Sequence, residues 1–109
     1  AAKKAAPRPK MAKLSKEQLG RLQDHAVNFV EESLHLRELV EEVRVVRGRL
    51  YLLRESEDLM ARITPIGPRS MLLEAPRRNS WTEHKRGLLA TVLKHMEGDI
   101  RVWLNKRGM

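Results

Sequence analysis

Residues 42–55, Glu42-Val43-Arg44-Val45-Val46-Arg47-Gly48-Arg49-Leu50-Tyr51-Leu52-Leu53-Arg54-Glu55, can be a helix that stops at Gly48 or two strands around a turn. A two-residue loop at Arg47-Gly48 sets Val46 opposite Arg49, Val45 opposite Leu50 and Val43 opposite Leu52. Successive side chains of a strand point to opposite faces of a sheet. Val43, Val45, Leu50 and Leu52 then share one face, and Arg44, Val46, Arg49 and Tyr51 share the other. That agreement between two segments predicts a hairpin, although Arg-Gly is a weaker turn signal than Asn-Gly.

Downstream, the alternation continues. Ser56-Glu57-Asp58 reads as a turn. Leu59, Ala61 and Ile63 alternate with Met60, Arg62 and Thr64 as a third strand, and Pro65-Ile66-Gly67-Pro68 reads as a connection. Met71, Leu73 and Ala75 alternate with Leu72 and Glu74 as a fourth strand, which Pro76 ends. Ser80 and Glu83 have capping-box spacing, and Leu88, Leu89, Val92, Leu93 and Met96 mark an amphipathic helix that stops near Gly98. Gly87 weakens the early part of that helix, which favours a start later than Trp81. Ile100, Val102 and Leu104 fit a strand, whereas Ile100, Trp103 and Leu104 fit a helical face, and the pattern does not choose.

Upstream, Ser15 and Gln18 form a capping box, and Leu14 and Leu19 occupy the positions of a hydrophobic staple. Leu19, Leu22, Ala26, Phe29, Val30 and Ser33 follow a period of 3.6 residues. Leu36, Leu39, Val40 and Val43 can continue that stripe, so the end of the helix stays open. Residues 1–13, AAKKAAPRPKMAK, have no apolar period, and Pro7 and Pro9 block a helix. The expectation is an α+β fold: a disordered basic arm over residues 1–13, then one domain over 14–109. That domain has an N-terminal helix, a four-stranded antiparallel meander with one face covered by helices, and a C-terminal helix.

A chain of 109 residues fits one domain. It has no cysteine, so disulfides and thiolate chemistry are excluded, and a reducing, cytoplasmic setting is expected. No apolar run reaches membrane-spanning length. The net charge is +8, and Lys3, Lys4, Arg8, Lys10 and Lys13 supply five of those charges without an acidic neighbour. A cationic arm favours polyanions through counterion release.

Catalytic signals are weak. His25, His35, His84 and His95 contain no pair at the three- or four-residue spacing of a helical metal site. No nucleophile elbow or glycine-rich phosphate loop occurs. No metal or cofactor is expected. Glu83 and His84 are the nearest thing to an acid–base pair, but on a helix they would point about 100° apart. Arg77, Arg78, Lys85 and Arg86 make a candidate anion site at the start of the C-terminal helix, against a plainer reading in which they are solvated charge. Of four aromatic residues, Phe29 sits in the core stripe and Tyr51 is the one strand-borne stacker.

The leading expectation is a non-enzymatic accessory protein that binds nucleic acid or a nucleoprotein complex. Its contacts would be the arm cations Lys3, Lys4, Arg8, Lys10 and Lys13 and the patch of Arg77, Arg78, Lys85 and Arg86. The alternative is a protein–protein interaction module, a homodimer or a subunit of a larger assembly. Val46, Tyr51 and Leu53 on the second sheet face, with Trp103, would be its interface.

Overall fold

Val46 and Arg49 face each other across the two residues Arg47 and Gly48, and φ is positive at both, 51° and 81°. Positive φ at both central positions is the type I′ geometry whose twist matches that of paired strands. The computed structural model describes residues 10–55, 59–77 and 80–98. In it the turn joins β1 (Glu42–Val46) to β2 (Arg49–Leu53), in the register Val43↔Leu52 and Val45↔Leu50.

β3 (Leu59–Pro65), β4 (Met71–Pro76) and β5 (Trp81–Gly87) extend the hairpin into an antiparallel meander of order β1-β2-β3-β4-β5. Before it lie α1 (Lys16–Glu32) and the single turn α2 (Leu36–Leu39), and after it α3 (Leu89–Gly98). The expected α+β order of helix, meander and helix is present, with five strands among the described residues rather than four. The additional strand is β5. Ser80 and Glu83 do not cap a helix, because residues 81–87 pair along β4 from Pro76↔Trp81 to Met71↔Gly87. Gly87, at φ 151°, lets the chain leave the strand and enter α3. A charged strand such as WTEHKRG suits a sheet edge, where charge discourages pairing with another chain.

One hydrophobic core joins the helices to one sheet face. Ala26 and Val30 of α1, Leu36 of α2, and Leu89, Val92, Leu93 and Met96 of α3 pack with Val43, Leu50, Leu52, Ala61, Ile63, Met71, Leu73 and Ala75. Met60 also enters this core, against its expected place on the other face. Leu52 pairs with Ala61 but Leu53 with Leu59, so Met60 is an extra residue at a β-bulge.

α1 starts as its capping box predicts: Gln18 N donates to Ser15 Oγ at 3.1 Å, and Ser15 N donates to Gln18 Oε1 at 2.9 Å. The apolar stripe does not carry the helix past Glu32. Ser33 is extended (φ −90°, ψ 125°) and 5% exposed. Its hydroxyl accepts from Leu36 N at 3.1 Å and donates to the Glu97 carboxylate at the end of α3. The extended backbone of Ser33 thus ends α1, and its side chain links the first residue of α2 to the end of α3. Replacing Ser33 with Ala should cost about 1–2 kcal/mol in urea unfolding, because a buried amide and a carboxylate each lose a partner. A change within about 0.3 kcal/mol would show that water replaces the hydroxyl at no cost.

Candidate nucleic-acid interface

The strand registers place the Arg47-Gly48 turn, the Ile66–Ser70 connection and the end of β5 at one end of the sheet. The chain before α1 comes to the same end. Ala12 N donates to Pro65 O at 2.8 Å, and Met11 Cε lies 2.5 Å from where a side chain on Gly48 would begin. Met11 and Ala12 are half-buried, so the described part of the segment read as an arm is docked on the fold. Gly48 leaves open the space that the flexible end of Met11 fills, and its φ of 81° is what favours glycine there.

This docking brings cations together. Met11, Ala12, Lys13, Leu14, Leu19, Arg47 and Gly48 line an open concavity of about 490 Å³ that contains two cations and no acid. Lys10 and Arg69 are exposed at the same end. Among the described residues no acid pairs with Lys10, Lys13, Arg47 or Arg69. Glu17, the acid in the first turn of α1, is itself paired with Arg21 at 3.4 Å. The opposite end is different. There Glu31, Glu41 and Glu42 surround Arg37 in a groove of about 420 Å³. Glu42 binds Arg44 at 2.8 Å, and that guanidinium holds its carboxyl below the ordinary value.

The expected folded patch is divided. Its helix N-terminus is absent, because Lys85 and Arg86 lie on β5. Arg77 lies in the connection before β5, where its N–H donates to Ser80 O at 2.8 Å. The length of β5, about 20 Å, separates Arg77 from Arg86. Arg86 is bound to Glu83, which raises its pKa, whereas Lys85 is exposed. Lys3, Lys4, Arg8, Arg78 and Trp103 lie outside the described residues. Arg47 and Arg69 were legible in the sequence as separate basic candidates; the strand register puts them at one end of the sheet, and the docking of Met11 and Ala12 adds Lys10 and Lys13 there.

The second sheet face carries the expected interface residues in unequal settings. Val46 is 38% exposed, but Leu53 is 4% exposed and lies at the base of a depression of about 130 Å³ with Arg44, Val46, Tyr51 and Leu59. Tyr51 is not a free stacker. Its ring meets Trp81 edge-on at 6.0 Å. Strands about 4.8 Å apart put β2 and β5 about 14 Å from each other, so Trp81 must reach inward across β4 and β3. Arg62 lies under that indole, 4.3 Å from its centroid. It binds Glu74 at 2.8 Å and 3.3 Å, and Thr64 Oγ1 donates to the same carboxylate at 2.9 Å. Burial opposes the Arg62 charge, but Glu74 and Tyr51 outweigh it and raise the pKa.

Among the described residues no three His, Asp or Glu side chains come together as metal ligands, and no helix is long and apolar enough to cross a membrane. The chain matches no protein-family model, no curated protein and no solved structure.

Glu74 is 2% exposed, and removing it strands a guanidinium beneath an indole. Glu74→Ala should lose about 2–4 kcal/mol in urea unfolding, and Glu74→Gln less, since the amide oxygen still accepts from Thr64. Equal losses in the two variants would show that the pair is not charge-stabilised.

Proposed function

We propose that this protein binds nucleic acid through its phosphate backbone, using the cationic end formed by Lys10, Lys13, Arg47 and Arg69. The observation that carries this reading is the concavity in which Lys13 and Arg47 are brought together without an acid. Phosphates gain from clustered cations by releasing condensed counterions, and such contacts fix position without reading sequence. The arm cations Lys3, Lys4 and Arg8 would add to this end, since their segment leads into it.

A second feature supports the same surface. Arg47 sits in the left-handed region at φ 51°. Asn or Gly fills that place in a type I′ turn with less strain. A strained residue in a turn points to a role for its side chain, and here the side chain is a cation beside Lys13. The expected patch of Arg77, Arg78, Lys85 and Arg86 has less support as one surface, because Arg77 and Arg86 lie far apart. The interaction-module reading is weaker as well, with Leu53 buried and Tyr51 engaged by Trp81.

The fold and the ligand make opposite demands at Arg47, which gives a sharp test. Arg47→Asn should raise stability by about 0.5–1 kcal/mol and weaken binding to a short DNA or RNA in fluorescence anisotropy. Lys13→Glu combined with Arg47→Glu should reduce affinity about tenfold and flatten its dependence on salt between about 50 and about 200 mM. Affinity that does not change with salt, or a double variant that binds as the parent does, would sink the reading.

A further inference from the structure

A nucleic acid offers a protein charged phosphates and the flat, weakly polar faces of its bases. The cationic end answers only the phosphates. Beside it lies a groove of different character, about 360 Å³ in volume and open to solvent. Leu22 of α1, Met71 of β4, and Leu88 and Leu89 where β5 passes into α3 line it, together with His25 and Arg69. Among the described residues no acid lines it. Met71 and Leu89 are buried, whereas Leu88 is 55% exposed and His25 and Arg69 are exposed.

The two concavities are neighbours. Leu19 lines the cationic one, and Leu22, three residues further along α1, lines this one. Residues at that spacing are adjacent on a helix surface. Arg69 serves both, as a cation of the turn end and as part of the apolar groove. Unpaired bases are held by stacking on histidine rings and arginine guanidinium planes as well as on larger aromatic groups. Tyr51 is already engaged by Trp81, so His25 and Arg69 are the planar groups at this end of the sheet.

We propose that this groove takes an unpaired base of a strand whose phosphates lie on the cationic end, which makes the ligand single-stranded nucleic acid. The inference rests on the phosphate-binding reading above and adds the form of nucleic acid to it. A duplex cannot use the groove. Its base faces are stacked on one another, and its own grooves present base edges that need hydrogen-bonding partners rather than leucine and methionine. Continuity with the cationic end favours a strand over an apolar peptide, because one ligand then fills both concavities. The volume lies within the range of about 300–1,000 Å³ found for sites that hold small organic groups.

Fluorescence anisotropy with three probes of about sixteen nucleotides separates the outcomes: a single strand of mixed sequence, the same backbone carrying abasic sites throughout, and the duplex of that strand with its complement. The single strand should bind about tenfold more tightly than the abasic strand, and more tightly than the duplex despite the denser charge of the latter. Leu88→Ser and His25→Ala, both at exposed positions, should each weaken binding of the single strand about fivefold and leave that of the abasic strand unchanged. Equal affinity for single and abasic strands, or tightest binding of the duplex, would overturn this inference and leave the phosphate reading standing. So would variants that bind the single strand as the parent does. Polyglutamate that displaces the single strand at equal charge would assign the groove to an acidic peptide instead. Binding of none of the three probes would remove both readings.

Discussion

Two positive φ angles at Arg47 and Gly48 hold together more of this molecule than any other local feature. They close the hairpin at two residues, and that loop length fixes which side chains of β1 and β2 face the helices. A slip of one residue would flip one strand against the other, turning either Val43 out of the core and Arg44 into it, or Leu50 and Leu52 out and Arg49 and Tyr51 in. The same glycine leaves the space into which Met11 packs, and this contact sets Lys13 beside Arg47. One turn thus specifies the sheet and builds the cationic end. Its price is an arginine in a backbone region that L residues avoid.

What the sequence revealed follows from how local each signal is. The β1–β2 register was legible because two alternating segments agree around a single loop length, so the pattern tests itself. The start of α1 was legible because Ser15 and Gln18 satisfy each other within four residues. The end of α1 was not, since Ser33 acts through Glu97, sixty-four residues away. β5 misled for a related reason. Capping-box spacing at Ser80 and Glu83 is a local hint, and pairing with β4 from Trp81 to Gly87, broken only by a bulge at His84, overrides it. Met60 was misplaced because a bulge shifts alternation by one residue, and no sequence pattern announces it. In the candidate site, Lys10 and Lys13 could be named from composition, but their joining to Arg47 and Arg69 depends on a tertiary contact.

The arginines divide by whether the fold already uses them. Arg62 is the extreme case, held by Glu74 below the Trp81 indole, and Thr64 and Tyr51 complete its surroundings. A buried ion pair contributes little when set against its desolvation, but removing either partner is costly. It therefore constrains which side chains can occupy the second face. Arg44 and Arg86 are bound to acids on their own strands, Glu42 and Glu83. These three guanidinium groups cannot release many counterions to a polyanion, because their partners are already protein carboxylates.

The remaining cations matter through their placement. Lys10, Lys13, Arg47 and Arg69 stand at the turn end, while Glu31, Glu41 and Glu42 gather at the start of β1. A field divided in this way would orient the polyanion proposed as ligand before contact, and salt would screen it within about 10 Å. Total charge alone would predict that any cationic face binds. Arg44, Arg62 and Arg86 already have carboxylate partners within the sheet, so they offer less to the proposed ligand than the acid-free cations of the turn end. On the second face the Arg62 charge is already committed to Glu74 beneath Trp81, so it adds nothing to that field.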